Sequence, residues 1–215
     1  MGVSLKKGQG VSLRKEENDL NTLTMGLGWD VATPKRGLLG SLFGKKEEEY
    51  DLDAIAFLLD ENRKVVNFGR EADGKISLQG GDLVFFNSMK HPSGKVWLTG
   101  DNRTGAGDGD DEQIIVKLNE LPACYHSIVF MASIYQGKEK GQNFGKIKNC
   151  FIRAVDGKNK EIARYDISGD DSYSQYHAIT FAEVVRDGNS WKFNAIGTPH
   201  TDSSIVDLLR NHLNQ

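Results

Sequence analysis

Apolar residues in this chain come in short bursts, and nearly every burst ends on turn chemistry. The segments LTMGLGW, DAIAFLL, LVFF, KVWLTG, SIVFMASIY, CFIRAV, EIARYDI, AITFAEVV and WKFNAIG are rich in β-branched and aromatic residues, which suit a pleated, half-buried surface. Between them lie DENRK, HPSGK, DGKNK and RDGNS, where Gly, Asn and Asp tolerate positive φ and Pro fixes it. WKFNAIG alternates strictly, with Trp191, Phe193 and Ala195 on one face and Lys192 and Asn194 on the other. A chain interrupted this often has no room for long helices. The predicted fold is mainly β, a two-sheet antiparallel β-sandwich with few short helices.

Helical periodicity is confined to the end of the chain. In TDSSIVDLLRNHLNQ, Ile205, Leu208, Leu209 and Leu213 recur at helical spacing, behind Thr201, Asp202 or Ser203 as capping candidates. This predicts a C-terminal helix over 201–214. GKEKGQNFGKI predicts a short helical turn. No composition shift and no fixed-period repeat divides the 215 residues, so 1–215 is read as a single domain. A chain of that length buries about 70% of its unfolded surface, so no metal is required merely to hold a core. Residues 34–49, PKRGLLGSLFGKKEEE, interrupt the strand pattern. They read as a mobile loop insertion or, because Leu38, Leu39, Leu42 and Phe43 are large and apolar, as a loop that docks a partner or grazes a membrane.

Several function classes are disfavoured. A formal net charge of −3 argues against a general nucleic-acid binder. The longest apolar run, 54–59, is far short of the ~20 residues that cross a bilayer, so no direct membrane insertion is expected. MGVSLKKGQG lacks a signal-peptide core, and Lys6 stands where a myristoylation signal needs Ser or Thr. The chain reads as soluble and cytoplasmic. Cys124 and Cys150 form no CxxC or Cys/His spacing and read as two reduced, partly buried thiols. The five histidines form no metal-ligand pair or nucleophile constellation, and neither GxSxG nor GxxxxGK[ST] occurs. No catalytic residue is nominated, and the chain reads as a non-enzyme.

One stretch carries chemistry of its own. TGDNRTGAGDGDDE places Asp108, Asp110, Asp111 and Glu112 within five consecutive positions, a short distance after Asp101. Like charges ~4 Å apart repel by about 1 kcal/mol in water and about 4 kcal/mol near a protein surface. A hard divalent cation would turn that repulsion into attraction. Calcium takes six to eight oxygens from carboxylates, amides, hydroxyls and backbone carbonyls. Asp101, Asp108, Asp110, Asp111 and Glu112 offer carboxylates, Asn102 an amide oxygen and Thr104 a hydroxyl, while the glycines free backbone carbonyls. The stretch is not an EF-hand: Arg103 and Gly105 stand at ligand positions, Ala106 replaces the required glycine, and KVWLTG and QIIVKL on either side read as strands. In YDLDA, Asp51 and Asp53 are two apart and so share a face of a strand; Asp30 closes GLGWD. If the 34–49 loop joins these two strands, Asp30, Asp51 and Asp53 lie at one end of the sandwich, where they would share the coordination. A calcium-dependent glycan or small-molecule module, with Trp29 and Trp97 stacking on a ligand, is the alternative reading.

MGVSLKKGQGVSL, GLGWD, YDLDAIAFLLD, VFFN, TGDNRTGAGDGDDE, FIRAV, ARYDIS and WKFNAIG, in this order, resemble the TerD family of tellurite-resistance and stress proteins, and the resemblance runs over nearly the whole chain. It implies a cytoplasmic, non-catalytic β-sandwich that binds one or two Ca2+ ions at one end. It also implies partners among other tellurium-resistance proteins, one of them a membrane protein that would bring the chain to the inner membrane. The metal ligands carried over are Asp30, Asp51, Asp53, Asp101, Asn102, Thr104, Asp108, Asp110, Asp111 and Glu112. Ala106 departs from the pattern, standing where many relatives have Glu.

Overall fold

The computed structural model describes residues 3–14, 16–31, 50–72, 75–99, 109–166, 171–202 and 204–213. Two six-stranded sheets dominate them. With strands numbered in chain order, the first sheet runs β1 (Val3–Ser4), β12 (Glu161–Asp166), β11 (Ile147–Val155), β3 (Leu23–Val31), β9 (Glu112–Val116), β8 (Val96–Leu98). The second runs β2 (Gly10–Leu13), β14 (Ser190–His200), β13 (Ala178–Asp187), β10 (Ser127–Ile134), β4 (Leu52–Leu59), β7 (Leu83–Val84). A small ribbon, β5 (Glu71–Ala72) and β6 (Lys75–Ile76), completes the set. The two-sheet sandwich is the predicted fold, and pairing is antiparallel except where β1 lies parallel to β12. The strands that sequence reasoning missed, β1, β2, β5 and β6, are two to four residues long, too short to display an alternation. LVFF contributes two strand residues, after which Phe85 bridges back to Ser88.

The hairpin turns fall where the polar clusters predict them. In RDGNS, Asp187 pairs with Ser190 across a two-residue loop. In DGKNK, the Asp156 carboxylate accepts the backbone N–H groups of Lys158 and Lys160 at 2.9 Å each, and that of Asp19 at 3.1 Å. One core fills the space between the sheets, with Met25, Leu27 and Trp29 of β3 opposing Leu52, Ala54 and Ala56 of β4.

A second apolar cluster covers the outer face of the second sheet. There Ile55, Phe57 and Leu59 of β4, Val129 and Met131 of β10 and Leu83 of β7 pack with Val65, Phe85, Leu208 and Leu209. Every residue of β4 is therefore buried. The C-terminal helix that provides part of this cover is shorter than 201–214: α2 spans Ile205–Leu209 and tightens into a 3-10 turn over Arg210–His212. Ser204 gives it no side-chain cap. Its last carbonyls turn toward the loop after β4, where the Val65 N–H donates to His212 O at 2.9 Å and Lys64 Nζ to Leu213 O at 2.6 Å. GKEKGQNFGKI forms α1 (Gly137–Lys140) and a 3-10 turn over Phe144–Lys146. Residues 34–48 and 49 lie outside the described residues.

Candidate cation site

The acidic end forms where β3 finishes and β9 begins. Leu27 pairs with Glu112, and the Asp111 N–H donates to Leu27 O at 2.8 Å, so the acidic segment joins the sheet at the middle of β3, beside its second half. Gly109, at φ +106°, supplies the left-handed backbone needed at that point. From there the side chains diverge.

Asp110 folds back over the outer face of the first sheet. Its side chain is 2% exposed and receives three donors: Arg153 Nε on Oδ1 at 2.7 Å, Arg153 Nη2 on Oδ2 at 3.1 Å, and Gln113 Nε2 on Oδ2 at 3.2 Å. Arg153 and Gln113 flank Gly26 in the neighbouring strands. A Cβ on Gly26 would stand 2.3 Å from the Asp110 carboxylate, so the glycine in GLGW leaves the slot that the carboxylate fills. The pairing with Asp110, more than the nearby Glu161, holds the Arg153 guanidinium above its ordinary value.

Asp111 is half-buried and its Oδ2 accepts the Trp29 backbone N–H at 2.9 Å. Burial pushes its carboxyl above the ordinary value; the Trp29 hydrogen bond opposes this, and the nearby carboxylates of Asp30 and Asp110 push it further up. Asp30 is exposed at the end of β3, and its Oδ2 accepts Asn149 Nδ2 at 2.5 Å. Asn149 sits at φ +49° where the β11–β3 register shifts. Glu112 points the other way, into the sandwich. It is 2% exposed, and Oε2 accepts the Ala54 N–H of β4 at 2.6 Å, tying the two sheets together at this end.

The structure thus brings Asp30, Asp110 and Asp111 together electrostatically and connects Glu112 to the start of β4. Asp53 stands in β4 in step with Ile55 and Phe57 of the outer face of the second sheet, and Asp51 immediately precedes the strand. Asp53 is buried opposite Ser133 of β10. Asp101, Asn102, Thr104 and Asp108 lie outside the described residues. Among the described residues no group of three or more His, Cys, Asp or Glu is arranged to hold a metal ion. Sequence reasoning missed Arg153, Gln113 and Asn149. The available signal was an arginine set in the apolar strand FIRAV, which demands a partner.

Other expectations resolve simply. Trp29 is 2% exposed between the sheets, so it cannot stack on a bound ligand; Trp97 is half-buried on β8. Both cysteines are free. Cys150 is buried, and burial pushes its thiol up, whereas Cys124 is exposed rather than partly buried. Among the described residues no helix is long and apolar enough to cross a membrane.

These features define a two-sheet β-sandwich with carboxylates gathered at one end. The sequence matches the family model described as TerD domain over residues 1–212. It is 56% identical over 213 residues to Tellurium resistance protein TerX of Serratia marcescens, covering 99% of this chain and 100% of that relative. Against Tellurium resistance protein TerD of Alcaligenes sp the identity is 38% over 198 residues, covering 92% and 90%. The crystal structure of SAV2460, a protein of unknown function, is similar with a TM-score of 0.62 at 22% identity, covering 91% of this chain and 98% of that one; at that identity the likeness speaks for the fold. The chain belongs to the TerD family.

Proposed function

We propose that this TerD-family chain binds calcium at its acidic end and acts, without catalysis, as an ion-dependent adaptor in the response to tellurite, envelope or phage stress. The observation that carries the reading is the crowding of Asp111. Its carboxyl is pushed up by burial and by Asp30 and Asp110, the electrostatic debt that a divalent cation would discharge. All side-chain donors nominated at this end are hard oxygens, the set calcium prefers over softer metals. Asp30 and Asp111 would supply carboxylates, joined by Asp101, Asn102, Thr104 and Asp108 of the same acidic stretch. One or two ions are accommodated by that number of donors. A bound cation would fix the segment and so present a surface to partner proteins.

The names of the relatives support the biological setting. On this reading the partners are other tellurium-resistance proteins, including a membrane protein, and the chain works in the cytoplasm, peripheral to the inner membrane through that partner. Isothermal titration of chelator-stripped protein tests the central element. Calcium binding at micromolar affinity or tighter is expected, and Asp101→Ala with Asp108→Ala should weaken it at least tenfold. No heat and no change in melting temperature at millimolar calcium would remove the reading.

A further inference from the structure

One carboxylate of the acidic stretch already has a cation. Asp110 is buried at the side chain, and an unpaired carboxylate there would be costly. The bidentate fork of Arg153 and the amide of Gln113 satisfy it with three donors. Such a fork fixes direction as well as charge. The slot is shaped for it as well, because Gly26 is the only residue type that leaves room between Arg153 and Gln113. Asp111, one residue on, is half-buried with its backbone N–H bonded to Leu27 O, and it faces Asp30 at the rim.

From this geometry we infer that Arg153 is a positioning residue for the acidic segment. Through Asp110 it pins the segment where it enters β9, so that Asp111 is held beside Asp30, and Asp110 is an anchor rather than a cation ligand. The functional consequence rests on the calcium-binding reading; the anchor itself rests on the ion pair alone.

Two sets of measurements on the full chain separate these. In chelator, Asp110→Asn and Arg153→Gln should each lower the melting temperature by about 3 °C or more. The double substitution should lower it no further than the more severe single one, because both remove the same contact. The Asp111 amide, protected by Leu27 O, should exchange faster in both variants. With calcium, both single substitutions should weaken binding by a similar factor, about fivefold, through lost preorganisation. Arg153→Lys keeps the charge without the fork and should recover only part of each effect. The inference is overturned if Arg153→Gln tightens calcium binding while Asp110→Asn weakens it, since that is how a ligand freed from a competing arginine behaves. Additive losses of melting temperature with unchanged Asp111 exchange would overturn it too. A wild-type chain without calcium response sinks the calcium reading, while the metal-free melting and exchange results still decide the anchor.

Discussion

Asp82 shows how much of this molecule depends on single buried carboxylates. It is 2% exposed, and it accepts Tyr125 Oη–H at 2.7 Å, the Asn67 backbone N–H at 2.8 Å and His91 Nε2 at 3.2 Å. Burial alone pushes its carboxyl up, but the hydrogen bonds from His91, Tyr125 and Asn67 together outweigh it and hold the group below its ordinary 3.8. A depressed carboxyl stabilises the fold above 3.8 and loses that contribution as pH falls through the folded value. Asp82→Asn should therefore cost about 2–3 kcal/mol in urea unfolding at pH 7, with the gap to wild type closing in acid below 3.8. Gly26→Ala should be destabilising despite its small size, since the added methyl meets the Asp110 carboxylate; the drop should shrink when Asp110 is also Ala. Little of this was legible in the sequence. GLGW announces a face without side chains, but what fills the slot comes from Asp110, far along the chain, and only the folded sheet brings the two together. Asp82 sits among glycines in QGGD with no pattern to mark it.

At the scale of elements, periodicity was the better guide. DAIAFLL shows no alternation, which is the signature of a strand covered on both faces, and β4 is covered on both. Its outer cover is the C-terminal segment, whose Leu208 and Leu209 are buried. Leu209→Ala should cost about 2–4 kcal/mol by leaving a cavity over Phe57 and Ile55. The segment also carries an acid sensitivity. His212 packs edge-on against Phe57, and its Nδ1 lies 3.3 Å from Arg63 O. Burial holds its ring below the ordinary 6.5, and Arg63 and Lys64 act in the same direction, against the pull of the Arg63 hydrogen bond and Glu183. His200, half-buried like His212, is shifted the same way, chiefly by desolvation. The unfolded chain then binds the proton more readily, so stability is complete above 6.5 and falls as pH drops below it. Thermal melts between pH 7 and 5 should show this decline, and His212→Asn should flatten it. The length of the helix was less legible, because its end is set by Lys64 and Val65 from the loop after β4 rather than by its own sequence.

For the whole molecule, the sandwich and the family could be read from the order of short apolar segments and from the GDNRTG…GDGDDE stretch. The division of labour among the carboxylates could not. Residues adjacent in sequence, Asp110, Asp111 and Glu112, point respectively onto the sheet surface, along the rim and into the core, because the chain is still bending at Asp110 and Asp111 and becomes strand only at Glu112. A cation that binds only the folded chain stabilises it by about 2.7 kcal/mol at a hundredfold excess over Kd. Calcium should accordingly raise the melting temperature by roughly 5–10 °C, an effect that chelator reverses. The most direct examination is a high-resolution crystal structure grown in calcium. Six to eight oxygens at ~2.3–2.6 Å around an ion beside Asp30 and Asp111 are expected. Those two carboxylates turned to bulk water, with no ion near them at saturating calcium, would contradict it.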